Sequence, residues 1–295
     1  MISKSEAVQL FQYYGLEGLP TRLVTSKDDL ITLFSNEFRK VALVNIRACS
    51  EAEHKNLPRL ICAHPSEAIN WLAVNSVYSS FAVQPYDDLL FSFELVITNK
   101  QVFVELVPGI WEMDSLFSPA IFQYCPNQSH INMSIPLEPQ PAKFWNVISR
   151  QAEQESRFVE DWQLTETATW IKNHFSVLSQ LANQVQMPLG IKAHYSRNFG
   201  ISPQNIHTNN VVMPDIKQPS GAPYGTPIIT DALEEVPDGN KVILLASIAR
   251  EESNLLDGLI DKLHKAGTKS VYLKSGMLSH LAITLREHGF KVRRA

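Results

Sequence analysis

A proline-rich segment late in the chain constrains its fold more than any other feature. Residues 214–227 contain four prolines and two glycines. Because proline lacks a backbone N–H and fixes φ, neither a helix nor an interior strand can continue through this segment. A chain of 295 residues is long enough for two domains that each bury a core. We therefore predict a larger domain over residues 1–213, a linker over 214–227 and a smaller domain over 228–295.

The composition is that of an ordinary globular protein, with 44% hydrophobic and 19% charged residues. No run approaches eighteen consecutive apolar residues, and the N-terminus lacks the apolar core of a signal peptide. The three cysteines show no metal-ligand spacing, which is typical of a reducing compartment. We expect a cytoplasmic protein without a membrane partner.

The charge is distributed unevenly along the chain. Residues 241–295 contain ten Lys and Arg against five Asp and Glu, so the net charge of −4 leaves −9 on residues 1–240. A basic smaller domain favours a phosphate-bearing partner, although a solvated charged face explains it equally well. The acidic remainder argues against nucleic acid as the main partner.

Apolar periodicity predicts an α/β (α+β) fold with a change of pattern along the larger domain. Its early part alternates between helices and short strands, and a hairpin turn at residues 98–100 follows in a strand-rich part. The smaller domain is predicted as strand, helix, strand, helix and strand. In the larger domain we predict helices over 5–16, 26–38, 66–76 and most of 141–184, and strands over 21–25, 41–46, 81–84, 91–97, 101–107 and parts of 188–212.

The clearest chemical motif lies in the smaller domain. A strand-like run at residues 270–274 is followed by a turn, a short amphipathic segment and another apolar run at 290–292. This pattern places Ser279 at the N-cap of a helix and His280 in its first turn. Free N–H groups and the helix dipole favour an anion at such a position, so a histidine there can carry a phosphoryl group.

The motif Gly276-x-x-Ser279-His280-x-Ala282-Ile283-x-x-Arg286-Glu287-x-Gly289 resembles the signature of the swivelling phosphohistidine domain. That domain belongs to the pyruvate phosphate dikinase, phosphoenolpyruvate synthase and rifampicin phosphotransferase superfamily. The resemblance implies that His280 takes a phosphoryl group from ATP, that Ser279 caps the helix and binds the group, and that Arg286 orients the loop or neutralises charge. An ordinary capped helix with an exposed histidine is the alternative interpretation.

The larger domain resembles an ATP-grasp fold at three places, residues 41–51, residues 83–86 and the paired segments 91–94 and 104–112. The resemblance implies a strand that approaches the ATP phosphates, a hinge beside the adenine and paired strands with acidic residues facing the nucleotide. The implied cofactors are ATP and Mg²⁺. The implied nucleotide-binding residues are Arg47, Gln84, Tyr86, Glu105 and Glu112, and the implied metal ligands are Glu105 and Asn210.

Phosphoryl transfer explains why these residue types would be needed, since cations and metal-held carboxylates stabilise the charge on the phosphate oxygens. Lys192 and His207 stand where the resemblance places metal ligands, and the amide oxygens of Asn209 and Asn210 are possible substitutes. Structural roles fit the same residues. Arg47 could pair with a nearby surface glutamate, and Glu105 could be an outward position of an alternating strand.

Three functions follow from these patterns. The leading prediction is an ATP-dependent phosphotransferase that passes a phosphoryl group through His280. Because the chain has no room for the barrel domain of the dikinases, the acceptor would be a separate protein or small molecule. The alternatives are a catalytically decayed regulatory protein that binds a nucleotide or a partner, and an ATP-grasp ligase whose smaller domain is structural.

Overall fold

The computed structural model describes residues 2–49, 57–110, 119–127, 132–185, 187–208, 211, 228–229, 240–244, 253–273 and 276–294. Within them the chain forms a mixed α/β fold with several sheets, as the sequence predicts. The predicted linker at 214–227 lies outside the described residues, so the division into two domains stays a prediction.

A four-stranded antiparallel sheet with two helices forms the first part of the fold. Its strand order is β1-β4-β2-β3. The sequence predicts a strand after the second helix, at residues 41–46, and in the structure this strand begins and ends three residues later. The strand at 59–63 was not predicted. The elements are β1 (Arg22–Val24), α2 (Lys27–Ser35), β2 (Val44–Cys49), β3 (Arg59–Ala63), α3 (Pro65–Val74) and β4 (Ser80–Pro85).

A six-stranded antiparallel sheet forms the centre of the molecule, with strand order β12-β11-β5-β6-β7-β8. The predicted hairpin is present, since the N–H of Thr98 donates to the carbonyl of Gln101 at 3.0 Å. Its strands are β5 (Leu89–Ile97), β6 (Val102–Pro108), β7 (Ala120–Tyr124), β8 (Asn132–Ser134), β11 (Leu189–Ser196) and β12 (Gly200–His207).

The two faces of this sheet have different partners because successive strand residues point to opposite sides. One face contributes Phe93 and Leu95 to a large core shared with α1 (Lys4–Tyr13) and α4 (Asp161–Val185). The opposite face carries Glu94 and other polar residues. Among the helices that the structure describes, none combines the length and hydropathy needed to cross a membrane.

The helical prediction for residues 141–184 is wrong over its first part. Residues 140–157 form a two-stranded hairpin of β9 (Gln140–Asn146) and β10 (Gln151–Arg157). The sequence of β10 is rich in good helix formers, but its ladder with β9 overrides this local preference. The side-chain oxygen of Asn146 fixes the turn by accepting the N–H of Ile148 at 2.8 Å.

The predicted alternation of the smaller domain is confirmed for its described residues, which we call the C-terminal module. They form a parallel sheet of order β13-β14-β15-β16 with two helices. Gly267 and Gly289, with φ of +69° and +83°, follow the helix ends in the left-handed conformation. The elements are β13 (Ile228–Ile229), β14 (Lys241–Leu244), α5 (Ser253–Lys265), β15 (Ser270–Leu273), α6 (His280–Glu287) and β16 (Lys291–Arg294).

Candidate functional site

A cavity of about 230 Å³ lies between the four-stranded and six-stranded sheets. Three residues predicted from the sequence line it together, namely Arg47 on β2, Gln84 on β4 and Tyr86 directly after β4. The predicted nucleotide residues of the first sheet therefore converge. We call this space the first cavity.

Gln84 connects the two sheets at one wall of the first cavity. Its Nε2 donates to Thr21 Oγ1 at 2.7 Å and lies 3.3 Å from Gln204 Oε1. The N–H of Tyr86 donates to the carbonyl of Leu43 at 2.8 Å. Burial, followed by the nearby Asp88 carboxylate, raises the pKa of Tyr86, so its hydroxyl remains protonated at neutral pH.

Several lining residues were not predicted from the sequence. Lys4 on α1, Arg59 on β3, and His194 and Gln204 on β11 and β12 face the same space. Alternation along β11 could have indicated His194, which shares a strand face with Lys192. No local pattern links Lys4 to Gln204, since 200 residues separate them along the chain.

Among the residues that the structure describes, the lining of the first cavity carries more positive than negative charge. Lys4, Arg47 and Arg59 line it, and none of the three forms an ion pair with a carboxylate of the described residues. The acidic lining residue Asp87 instead accepts the N–H and side-chain Nδ2 of Asn198 at 2.7 and 2.6 Å. The surface glutamates proposed as partners of Arg47 lie in residues 51–53, outside the described residues.

Two buried donors in this cavity have no hydrogen-bond partner in the described structure, the Nε of Arg47 and the Nε2 of Gln204. Burial, followed by Arg59, lowers the pKa of Arg47. A buried donor without an acceptor costs about 1–3 kcal/mol. An anionic or carbonyl-bearing ligand would remove this cost.

His194 gives the cavity a neutral imidazole. Burial, followed by Lys4, lowers the pKa of His194 to about 4. At neutral pH its ring therefore both donates and accepts hydrogen bonds but carries no charge. The remaining wall is apolar and suits a flat ring. Its apolar lining residues are Leu19, Ile46, Leu60, Ile61, Ala82, Leu89, Ile110 and Trp145.

Glu105 lies apart from the residues that line the first cavity and makes contacts of another kind. It is fully buried on β6, where its carboxylate accepts the N–H groups of Met277 and, at 2.9 Å, Leu278. Burial raises the pKa of Glu105 to about 7. In this structure the carboxylate therefore holds the turn that precedes α6, and its predicted role toward a nucleotide or metal stays a prediction.

Charged residues surround this carboxylate on the polar sheet face. Glu94 is the cross-strand partner of Glu105, and Lys192 Nζ lies 3.6 Å from Glu94 Oε2. Burial raises the pKa of Glu94, whereas Lys192 opposes that shift. Arg286 and Arg294 of the C-terminal module also interact electrostatically with Glu105.

The predicted Mg²⁺ site has no complete ligand set in the part of the chain that the structure describes. No group of three His, Cys, Asp or Glu side chains there is arranged to hold a metal ion. Lys192 supplies a positive charge beside Glu94 instead of a metal ligand. Asn210 and Glu112 lie outside the described residues, so their predicted roles remain untested.

The predicted helix start is present in the C-terminal module. Ser279 Oγ accepts the N–H of Ala282 at 3.2 Å, and α6 begins at His280. The side chain of His280 is outside what the structure describes. Arg286 lies in the last turn of α6. Its Nη2 is buried and has no hydrogen-bond partner in the described structure.

A second cavity of about 360 Å³ adjoins the first and shares Tyr86, Leu89 and Trp145 with it. Its walls combine aromatic rings with charges of both signs. Its other lining residues are Asp88, Leu90, Pro108, Phe144, Glu155, Arg157, Phe158, Glu160, Trp162, Gln163 and Arg197.

No protein-family model matches this sequence. No curated protein matches it either. Among solved structures, an ADP complex of N5-carboxyaminoimidazole ribonucleotide synthetase is 7% identical with a TM-score of 0.41, covering 70% of this chain and 44% of that one. D-alanyl-alanine synthetase A from Vibrio cholerae is 8% identical with a TM-score of 0.41, covering 70% and 54%.

The ATP-grasp ligase PsnB, complexed with a minimal precursor, is 11% identical with a TM-score of 0.36, covering 70% of this chain and 52% of that chain. The chain thus spans about half the length of the structures it matches. With TM-scores below 0.5, these likenesses identify neither a family nor an activity.

Proposed function

We propose that the protein is an ATP-dependent enzyme of the ligase type, which binds ATP in the first cavity. The observation that carries this proposal is the group of cations without described carboxylate partners, together with the buried Nε of Arg47, which has no hydrogen-bond partner among the described residues. A triphosphate supplies the negative oxygens that these donors lack. Lys4 and Arg59 would share its charge with Arg47.

The apolar wall and the amide side chains fit the rest of the nucleotide. Ile46, Leu89 and Ile110 offer a surface for the base, and the unpaired Nε2 of Gln204 offers a donor to a ring nitrogen or ribose oxygen. Mg²⁺ bound with ATP would neutralise phosphate charge. The sequence predicts Glu105 and Asn210 as ligands of that ion, but Glu105 lies apart from the first cavity and holds the turn before α6, so it does not fit an ion bound there.

The second cavity supports a ligase because such an enzyme must hold its substrate beside the nucleotide. Tyr86 and Trp145 form part of both walls, so two ligands could lie next to each other. Placing reactants side by side and away from water protects a reactive intermediate. In the proposed reaction a substrate carboxylate oxygen attacks the γ-phosphorus and ADP leaves. An amine then attacks the acyl carbon, phosphate leaves and the amine loses a proton.

Binding measurements test the nucleotide site. We expect Arg47→Met to weaken ATP binding about tenfold or more, because a charge-assisted hydrogen bond is worth about 1.5–3 kcal/mol. Adenosine, which lacks phosphates, should bind wild type and variant equally. Arg39→Met, at an exposed position outside the cavity, is the matched control. Calorimetry showing no saturable ATP binding to the wild type would refute the proposal.

A phosphohistidine relay is a second candidate, favoured by the placement of the Ser279-capped start of α6. The preceding residues Met277 and Leu278 rest on the same polar sheet face that carries Glu94 and Glu105. A neutral histidine ring at that helix start could accept a phosphoryl group from ATP, with release of the remaining nucleotide.

Labelled ATP separates the two candidates. A relay should place acid-labile, base-stable label from β- or γ-labelled ATP on the wild-type chain and none on His280→Asn. Ligase activity should instead release ADP only when a carboxylate and an amine are supplied, and should survive in His280→Asn. Label that persists in His280→Asn would exclude the relay through this residue.

A further inference from the structure

Lys4 brings the start of α1 to the first cavity. Its Nζ donates to the carbonyl of Gln204 on β12 and lies 3.4 Å from the side-chain Oε1 of the same residue. Neither oxygen carries a full charge. The ammonium group is therefore hydrogen-bonded but not neutralised.

The groups that face Lys4 make its positive charge unfavourable in the empty cavity. Arg47 on β2 adds a second cation beside it, and the exposed Arg59 on β3 lines the same cavity. Asp87, the acidic residue that lines the cavity, is already bound to the N–H and side chain of Asn198. The other nearby titratable groups are Cys49 on β2 and His194 on β11.

These surroundings favour the uncharged amine. Burial, followed by Arg47, lowers the pKa of Lys4 to about 7, and Cys49 opposes this shift only in part. The hydrogen bonds to Gln204 do not require a charge, because a neutral amine still donates. Arg47 cannot relieve the repulsion by losing its own proton, since guanidinium groups keep their protons.

We propose that Lys4 takes up a proton when an anionic ligand enters the first cavity, so that nucleotide binding is coupled to proton uptake. The proposal rests on the proposed function in taking the phosphates of ATP as that anion. A nearby phosphate stabilises the ammonium form and offsets the repulsion from Arg47. In this step one proton passes from solvent to the Lys4 amine, and no covalent bond to the ligand forms or breaks.

The direction of the pH dependence follows from this coupling. Below pH 7 the free protein already holds the proton, so little is taken up on binding. Above pH 7 the free amine is mostly neutral, and uptake approaches about one proton per ligand. The affinity should therefore fall as pH rises from 7 to 9, by at most about tenfold per pH unit.

Calorimetry in two buffers measures the coupling directly. ATP is titrated at pH 8, well above the phosphate pKa of about 6, into protein in Tris and in HEPES. The difference in binding heat, divided by the difference in buffer ionisation enthalpy, gives the protons taken up. We expect about one proton for the wild type and none for Lys4→Arg, which carries a fixed charge. Lys40→Met, at an exposed position, should match the wild type.

The outcomes separate the inference from the proposed function. Saturable ATP binding without proton uptake, or equal uptake by Lys4→Arg, would overturn the role of Lys4 and leave the nucleotide site in place. If ATP does not bind, inorganic pyrophosphate is titrated in the same buffers. Proton uptake with pyrophosphate, lost in Lys4→Arg, would support the inference while rejecting ATP, and no binding of either anion would reject both.

Discussion

At the scale of single residues, Lys4 and Glu105 show two ways of placing an ionisable group inside a protein. Glu105 is fully buried and accepts two backbone N–H groups, whereas the hydrogen bonds of Lys4 within the described residues go to uncharged oxygens of Gln204. Burial moves both pKa values to about 7 from opposite sides. Both groups therefore change charge near physiological pH, where unperturbed residues of their types do not.

Glu105 should make the stability of the protein decrease as pH rises. Its pKa is raised from 4.5 to about 7 in the folded state, so the folded chain binds more protons between these values. The contribution of Glu105 to stability is then greatest below pH 4.5 and is lost as pH rises toward 7, by at most about 1.4 kcal/mol per pH unit. Glu105→Gln cannot titrate, so its urea-unfolding free energy should vary less over this window. An unchanged slope would contradict the assignment.

A side chain at Gly276 should destabilise the fold. A Cβ atom built at this position would lie 2.7 Å from Glu105 Oε2 and 3.3 Å from Pro119 Cγ. We expect Gly276→Ala to destabilise the protein by about 1–3 kcal/mol, because such overpacking forces neighbours to shift. Gly258→Ala, where no atom lies within 4 Å, is the control. Equal melting temperatures for the two variants would argue against close contact at the turn.

At the scale of elements, α6 depends on its cap. Ser279 accepts the N–H of Ala282 and has an extended backbone, as an N-cap residue requires. Replacing it by alanine should cost about 1 kcal/mol of stability, whereas Ser279→Asp should retain most of it because aspartate caps equally well. Chemical denaturation of both variants tests this. A loss of similar size in Ser279→Asp would show that the hydroxyl matters for another reason.

The sequence predicts the elements that rest on local patterns. The hairpin turn at Thr98, the capped start of α6 and the strand–helix order of the C-terminal module are encoded by neighbouring residues and are confirmed. The hairpin of β9 and β10 was missed because helix-forming residues in β10 are held by a partner strand.

The sequence predicts only the part of the candidate site that the first sheet supplies. Arg47, Gln84 and Tyr86 lie in or directly beside the first sheet and line one cavity, while their role toward a nucleotide stays a prediction. Lys4 and Gln204 come into contact only when the chain folds, and no local sequence pattern predicts that contact. The sequence left Glu105 either as an outward position of an alternating strand or as a residue facing a nucleotide, and neither alternative reveals that the backbone N–H groups of a distant turn donate to it.

At the scale of the whole molecule, one face of the six-stranded sheet serves two purposes, as a wall of the first cavity and as the contact with the C-terminal module. The sheet's apolar face is covered by α1 and α4, and its polar face holds both the wall of the first cavity at His194 and the contact with the C-terminal module at Glu105. Val96, Phe103 and Ile121 pack there against Met277 and Leu278. The module is therefore joined to the sheet by apolar packing around a buried carboxylate.

This contact bears on how the protein can be divided in the laboratory. A fragment ending at residue 213 would present Val96, Phe103 and Ile121 to water, and we expect it to self-associate. Residues 214–295 produced in the same cell should instead pair with it and restore a soluble complex. Co-purification through a tag on one fragment measures this, and Phe103→Glu should abolish it. The two fragments would then behave as a split protein, and their reassembly could serve as a reporter signal.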